Sequence, residues 1–158
     1  MNNSFFDFEL FAVPEKHFDK IEGQGRSGIF VLYTIESDGL SEQEYLSAIL
    51  KPEPLSLDLQ KDTFFLALQT NEAFSIAAIM QKYDPKYILL FGCDPKEGGI
   101  RLQLTNYQPI TFQGKHFLSA DSLHQIRSDR EKNDNRRASA LWTALKQIFV
   151  NLNQESKG

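Results

Sequence analysis

The sequence predicts an α/β domain with a mainly parallel central sheet lying between helical layers. Three apolar runs, Ile29–Ile35, Thr63–Leu68 and Tyr87–Gly92, are rich in β-branched and aromatic residues, the composition of strands covered on both faces. Stretches with helical spacing separate them, and the links are short. Strand, helix, strand, helix, strand in that order puts parallel neighbours together through right-handed crossovers.

Along the chain, residues 1–28 hold an aromatic patch, Phe5-Phe-Asp-Phe-Glu-Leu-Phe11, and a connector, Gly23–Gly28, expected as a flexible loop. Phe5, Phe6, Phe8, Leu10 and Phe11 must either pack on the domain or be covered by another chain, so they are the candidate partner-binding residues. Residues 29–152 form the single α/β domain and 153–158 a polar tail. After the first strand, Ser41-Glu-Gln-Glu44 has the pattern of a capping box, in which hydroxyl and carboxylate satisfy amides that the first helical turn leaves orphaned. The helix it starts carries Tyr45, Leu46, Ile49 and Leu50, and Pro52 and Pro54 stop it. A second helix spans Glu72 to Tyr83, ahead of Asp84-Pro85. Ile100–Leu104 alternates apolar and polar, as a half-exposed edge strand does. Pro109–Phe112 and His116–Leu118, parted by Gln113-Gly114, are further strand pieces, and a short helix begins near Ser119. The final helix packs Leu141, Trp142, Leu145, Ile148, Phe149 and Leu152 on the sheet, with Trp142 in the core.

A chain of 158 residues suffices for one core without disulfides or a structural metal. With 41% hydrophobic and 24% charged residues it belongs to the globular class. No run approaches the roughly 20 apolar residues of a membrane span, and the N-terminus lacks the basic, apolar and cleavage regions of a secretory signal. Cys93 is the sole cysteine, so no internal disulfide forms and a reducing cytoplasm is the expected location. The formal charge of −4 argues against a whole-surface nucleic-acid binder, leaving any DNA contact weak or indirect. Arg127–Arg137 is basic but interrupted by Asp129, Glu131 and Asp134, as in a solvated connection.

In open α/β sheets ligands bind outside the carboxyl ends of the strands, which directs attention to the loop Gly92–Gly99. Gly92, Cys93, Asp94, Pro95 and Lys96 are the pocket candidates: a thiol, a carboxylate, an ammonium group and a glycine that permits close approach. The plain alternative is a turn begun by Asp94-Pro95 and closed by Gly98-Gly99, with Cys93 as a small buried hydrophobe. His17, His116 and His124 show no spacing that demands contact with Cys93, and none forms a metal-ligand pair with it. No phosphate-cradling glycine motif stands between a strand and a helix, so no cofactor is expected.

Two segments carry a family resemblance. Gln108-Pro-Ile-Thr-Phe-Gln-Gly-Lys-His-Phe-Leu-Ser-Ala-Asp-Ser-Leu123, followed by Arg137-Ala-Ser-Ala-Leu-Trp-Thr-Ala-Leu-Lys-Gln147, resembles the C-terminal part of the psi subunit of bacterial DNA polymerase III. That resemblance implies a uracil-DNA glycosylase-like three-layer αβα sandwich. It also implies a non-enzymatic adaptor of a replication complex, bridging the clamp loader and the chi subunit, which associates with single-strand-binding protein. In that family the N-terminal segment engages the clamp loader. Leu90-Phe-Gly-Cys-Asp-Pro95 is similar to the glycosylase motif whose Asp orients the attacking water, which would make Asp94 the catalytic carboxylate of an alternative, a divergent base-excision enzyme. The family's Tyr and His are replaced by Lys96 and Leu118. Leucine cannot donate the hydrogen bond that stabilises the departing base. His116, two residues away on the same strand face, is the candidate substitute.

Overall fold

The computed structural model describes residues 19–36, 40–69, 72, 74–94, 96, 99 and 102–151. A five-stranded sheet forms its centre. The strands are β1 (Ile29–Ile35), β2 (Thr63–Gln69), β3 (Tyr87–Phe91), β4 (Ile110–Phe112) and β5 (Lys115–Ala120), in spatial order β2-β1-β3-β5-β4. All neighbours are parallel except β4, which pairs antiparallel with β5 at one edge. The helices are α1 (Leu40–Leu50), α2 (Leu59–Asp62), α3 (Ile76–Tyr83), α4 (Leu123–Glu131) and α5 (Arg136–Lys146), the last continuing into a π-helical turn, Gln147–Asn151.

Because side chains alternate along a strand, each strand feeds two cores. Val31, Tyr33, Leu89, Phe91, Leu118 and Ala120 face α1, α2, α4 and α5. Phe30, Leu32, Leu66, Ile88, Leu90 and Phe117 face α3, with Leu102 and Leu104 at its margin. β3, at the middle, is buried at every position, which explains why its sequence is a continuous apolar run. Burying each such side chain contributes about 1.5–3 kcal/mol. The chain reverses direction after β2: the α1 crossover leads outward from β1, and the α3 crossover returns over β1 to β3. Right-handed connections in opposite directions put their helices on opposite faces, and a three-layer sandwich follows.

Several expectations change at the level of local structure. Ser41 lies inside α1, and its hydroxyl donates to Glu42, while the buried Glu42 carboxylate accepts the Glu36 amide at 3.0 Å. The second helix starts at Ile76, not Glu72, because Ser75 caps it by accepting the Ala78 N–H at 3.0 Å. Glu72 instead accepts the Gln69 amide at 2.8 Å and pairs with Lys20. Leu102–Leu104, the described part of the expected edge strand, joins no ladder, although Leu102 and Leu104 are half-buried and Gln103 is exposed. The alternation reported burial on a core and not strand pairing. Ser119 belongs to β5, and α4 begins only at Leu123, where the Ser122 hydroxyl accepts the Gln125 N–H at 3.1 Å. Gln113 and Gly114, both at positive φ (53° and 79°), form the tight turn of the β4–β5 hairpin. The glycine connector is bonded along its length: Gln24, Gly25, Arg26 and Ser27 donate to the carbonyls of Gln60, Thr63, Lys61 and Asp62.

Candidate functional site

The carboxyl ends of β1 and β3 are where the strand order reverses, and where an open α/β sheet ordinarily opens a ligand crevice. Gly92 sits there at φ +75°, its amide donating to the Ala120 carbonyl at 2.9 Å. A Cβ on Gly92 would lie 2.5 Å from Thr34 Oγ1 and 2.9 Å from Ser122 Cβ. The end of β1, the end of β3 and the cap of α4 thus meet without room for a methyl group. Glycine is required at this point by the close approach of Thr34 and Ser122 and by the left-handed backbone.

Cys93 is buried, and its Sγ donates to the Phe91 carbonyl at 3.6 Å. Asp94 is exposed, and its carboxylate accepts the Lys96 amide at 3.0 Å, closing an Asx turn. The Gly99 amide then donates to the Lys96 carbonyl at 3.2 Å. Lys96 is exposed, Pro95 lies outside the described residues, and so do Phe5, Phe6, Phe8, Leu10 and Phe11.

His116 and Asp94 are not brought together. His116 pairs with Tyr87 at the amino end of the parallel ladder, whereas Phe91, three residues before Asp94, pairs with Ala120 at the carboxyl end. Four residues of strand, about 13 Å, separate the two ends. The His116 ring stacks on Tyr87 at 5.2 Å, and its Nδ1 lies 2.8 Å from Thr111 Oγ1. Burial, with the nearby Lys86 charge, lowers its pKa below the ordinary histidine value. Leu118 is 1% exposed and packs in the core beneath the helices. His116 thus shares a sheet face with Leu118, as its two-residue offset requires, but lies away from Asp94.

A polar cluster that sequence reasoning missed occupies the carboxyl end of β5. Tyr107 donates to Asp121 at 2.6 Å, Arg137 Nε donates to the same carboxylate at 2.9 Å, and Arg137 also bonds Asp129. Gln125 donates to the other oxygen of Asp129 at 2.8 Å. Burial and the bond to Asp121 push the Tyr107 phenol above its usual range. The cluster ties the turn before β4, the end of β5, α4 and α5 to one another. Arg137 and Asp129 therefore depart from the solvated connection expected for Arg127–Arg137, while Arg127, Arg130, Lys132 and Arg136 are exposed as such a connection requires. The missed signal is the spacing of Asp121, Asp129 and Arg137, in which a tertiary turn brings two carboxylates to one guanidinium.

On the outer helical face, α1 and α5 leave a groove of about 670 Å³. Tyr45, Ile49 and Pro52 of the first wall face Ala138 and Trp142 of the second, over Leu141. Trp142, expected in the core, packs against it from a half-buried position and also lines this groove. Leu46 and Leu50 are buried in the core, while Tyr45 and Ile49 pack against it from half-buried positions and also line the groove. The recurrence at Tyr45, Ala48, Ile49 and Pro52 was the available signal.

Among the described residues no helix is long and apolar enough to cross a membrane, and no group of three or more His, Cys, Asp or Glu residues is placed to hold a metal ion. The fold and site together define a mainly parallel α/β domain with close packing around Gly92 at its switch point and an apolar groove on its helical face. Compared with protein-family models and with curated proteins, the chain matches none.

Proposed function

We propose that this chain is a non-enzymatic adaptor subunit of a DNA replication complex, of uracil-DNA glycosylase-like fold, joining a clamp-loader assembly to a subunit associated with single-strand-binding protein in the cytoplasm. The observation that carries this reading is that Asp94 and His116, the two groups a base-excising site would need together, are held apart. Thr34 and Ser122 crowd Gly92 at the end of β3 and leave no room for a side chain there. Asp94 beside it is committed to the Lys96 amide, and His116 stands at the far end of the ladder. The two segments that resemble the psi subunit also support it: they fold into the β4–β5 hairpin and α5, joined directly by the Arg137–Asp121 ion pair at 2.9 Å. Such a clamp suits a scaffold that must hold its surfaces in fixed relation.

Two measurements test the reading. Uracil release from single-stranded DNA is expected from neither the chain nor its Asp94→Asn variant. Release that the substitution abolishes would establish the enzyme instead. In size-exclusion chromatography with the clamp-loader assembly of the same organism, the chain should co-elute, and deletion of residues 1–12 should remove it from the complex. Separate elution of the intact chain at micromolar concentration would overturn the adaptor reading.

A further inference from the structure

The groove between α1 and α5 presents aromatic and aliphatic walls to solvent, and its charge is of one sign. Arg130, at the end of α4, lines it and makes no ion pair among the described residues. Lys146 lies over the Trp142 ring, 5.8 Å from its centroid. An occupant must therefore bring apolar side chains together with carboxylates.

We propose that the occupant is the chain's own segment Phe5–Phe11, docked in the groove of the same molecule. The segment supplies Phe5, Phe6, Phe8, Leu10 and Phe11, together with Asp7 and Glu9, so its apolar and acidic groups complement the walls and the two cations. The point from which it must reach is defined. Glu22 pairs with Phe65, and Lys20 is bonded to Glu72 at 2.7 Å, which fixes the chain beside β2, the strand that α1 connects to β1. Eight residues from Phe11 to Asp19 can span up to about 27 Å. A domain of this size has a radius of gyration of about 14 Å, about half the span of the tether. Tethering also raises the local concentration to the order of 1 mM, so even a weak contact is well populated.

This docking does not depend on the adaptor reading. Its consequence does: aromatic side chains seated in the groove are withheld from a partner, so binding of a partner through residues 5–11 must expose Trp142.

Trp142 is the sole tryptophan of the chain, so its fluorescence reports the groove directly. The experiment compares acrylamide quenching and emission maximum of the full chain with those of a Phe5→Ser/Phe6→Ser/Phe8→Ser variant. Loss of the covering side chains should raise the quenching constant about twofold and move emission to longer wavelength. A synthetic peptide of residues 1–18, added to the variant, should reverse both changes, and Arg130→Glu in the otherwise unchanged chain should raise quenching partway. Equal quenching in the full chain and the triple variant would overturn the proposal. So would quenching of the full chain that rises on dilution from about 20 to 0.2 μM, because a second copy would then supply the segment. Both readouts use the chain alone, so their failure leaves the adaptor reading standing.

Discussion

Replacing Gly92 with alanine probes the close meeting of β1, β3 and α4 directly. At φ +75° an L residue is in the left-handed region, at a cost of about 1–2 kcal/mol. The added methyl would sit 2.5 Å from Thr34 Oγ1, 2.9 Å from Ser122 Cβ and 3.1 Å from Ser122 Cα. The threonine hydroxyl can rotate away, but the Ser122 backbone is held in the cap of α4, so overpacking adds about 1–3 kcal/mol. Together these give about 2–5 kcal/mol. With an m value of about 2 kcal/mol per molar urea, the unfolding midpoint should fall by about 1–2.5 M, followed by far-UV circular dichroism. Gly114→Ala is the control, since Gly114 has φ +79° and nothing within 4 Å of its Cβ position. It should show the backbone cost of about 1–2 kcal/mol alone. A Gly92→Ala variant no less stable than Gly114→Ala would refute the close meeting of β1, β3 and α4.

Ser122→Ala removes the side-chain acceptor for the Gln125 amide and should cost about 1 kcal/mol, measured by the same urea titration. His116 gives a pH dependence whose sign follows from its lowered pKa. Below the unfolded value of about 6.5 the unfolded chain binds the proton more readily than the native one, so stability is constant above that pH and falls as pH drops through the native pKa. Melting temperature measured between pH 7.5 and 5 should therefore decline, and His116→Phe, which preserves an aromatic partner for Tyr87, should flatten the decline. An equal decline in the variant would place the titrating group elsewhere.

The strands were legible because a fully buried parallel strand is written as an unbroken apolar run: β1 spans Ile29–Ile35 as expected, and β3 differs from expectation only by Gly92. Helix starts were less legible. Capping depends on which hydroxyl meets which amide, and Ser75 and Ser122 take that part where sequence pointed to Glu72 and Ser119. Of the candidate site, Asp94 and its turn were visible as a local pattern. The separation of Asp94 from His116 was not, since it is set by the register of β3 against β5.

Sequence by itself determined the α/β class, the parallel core and the turn at Asp94, because each rests on periodicity or on contacts between residues a few positions apart. Tertiary structure alone decided that Thr34 and Ser122 crowd Gly92, that Arg137 joins Asp121 to Asp129, and that Trp142 lines a groove as well as packing on the core. These outcomes depend on how far helices stand from one another and which strand ends meet. A helical stripe shows that a side chain seeks cover, and only the placement of its neighbours shows what remains to cover it.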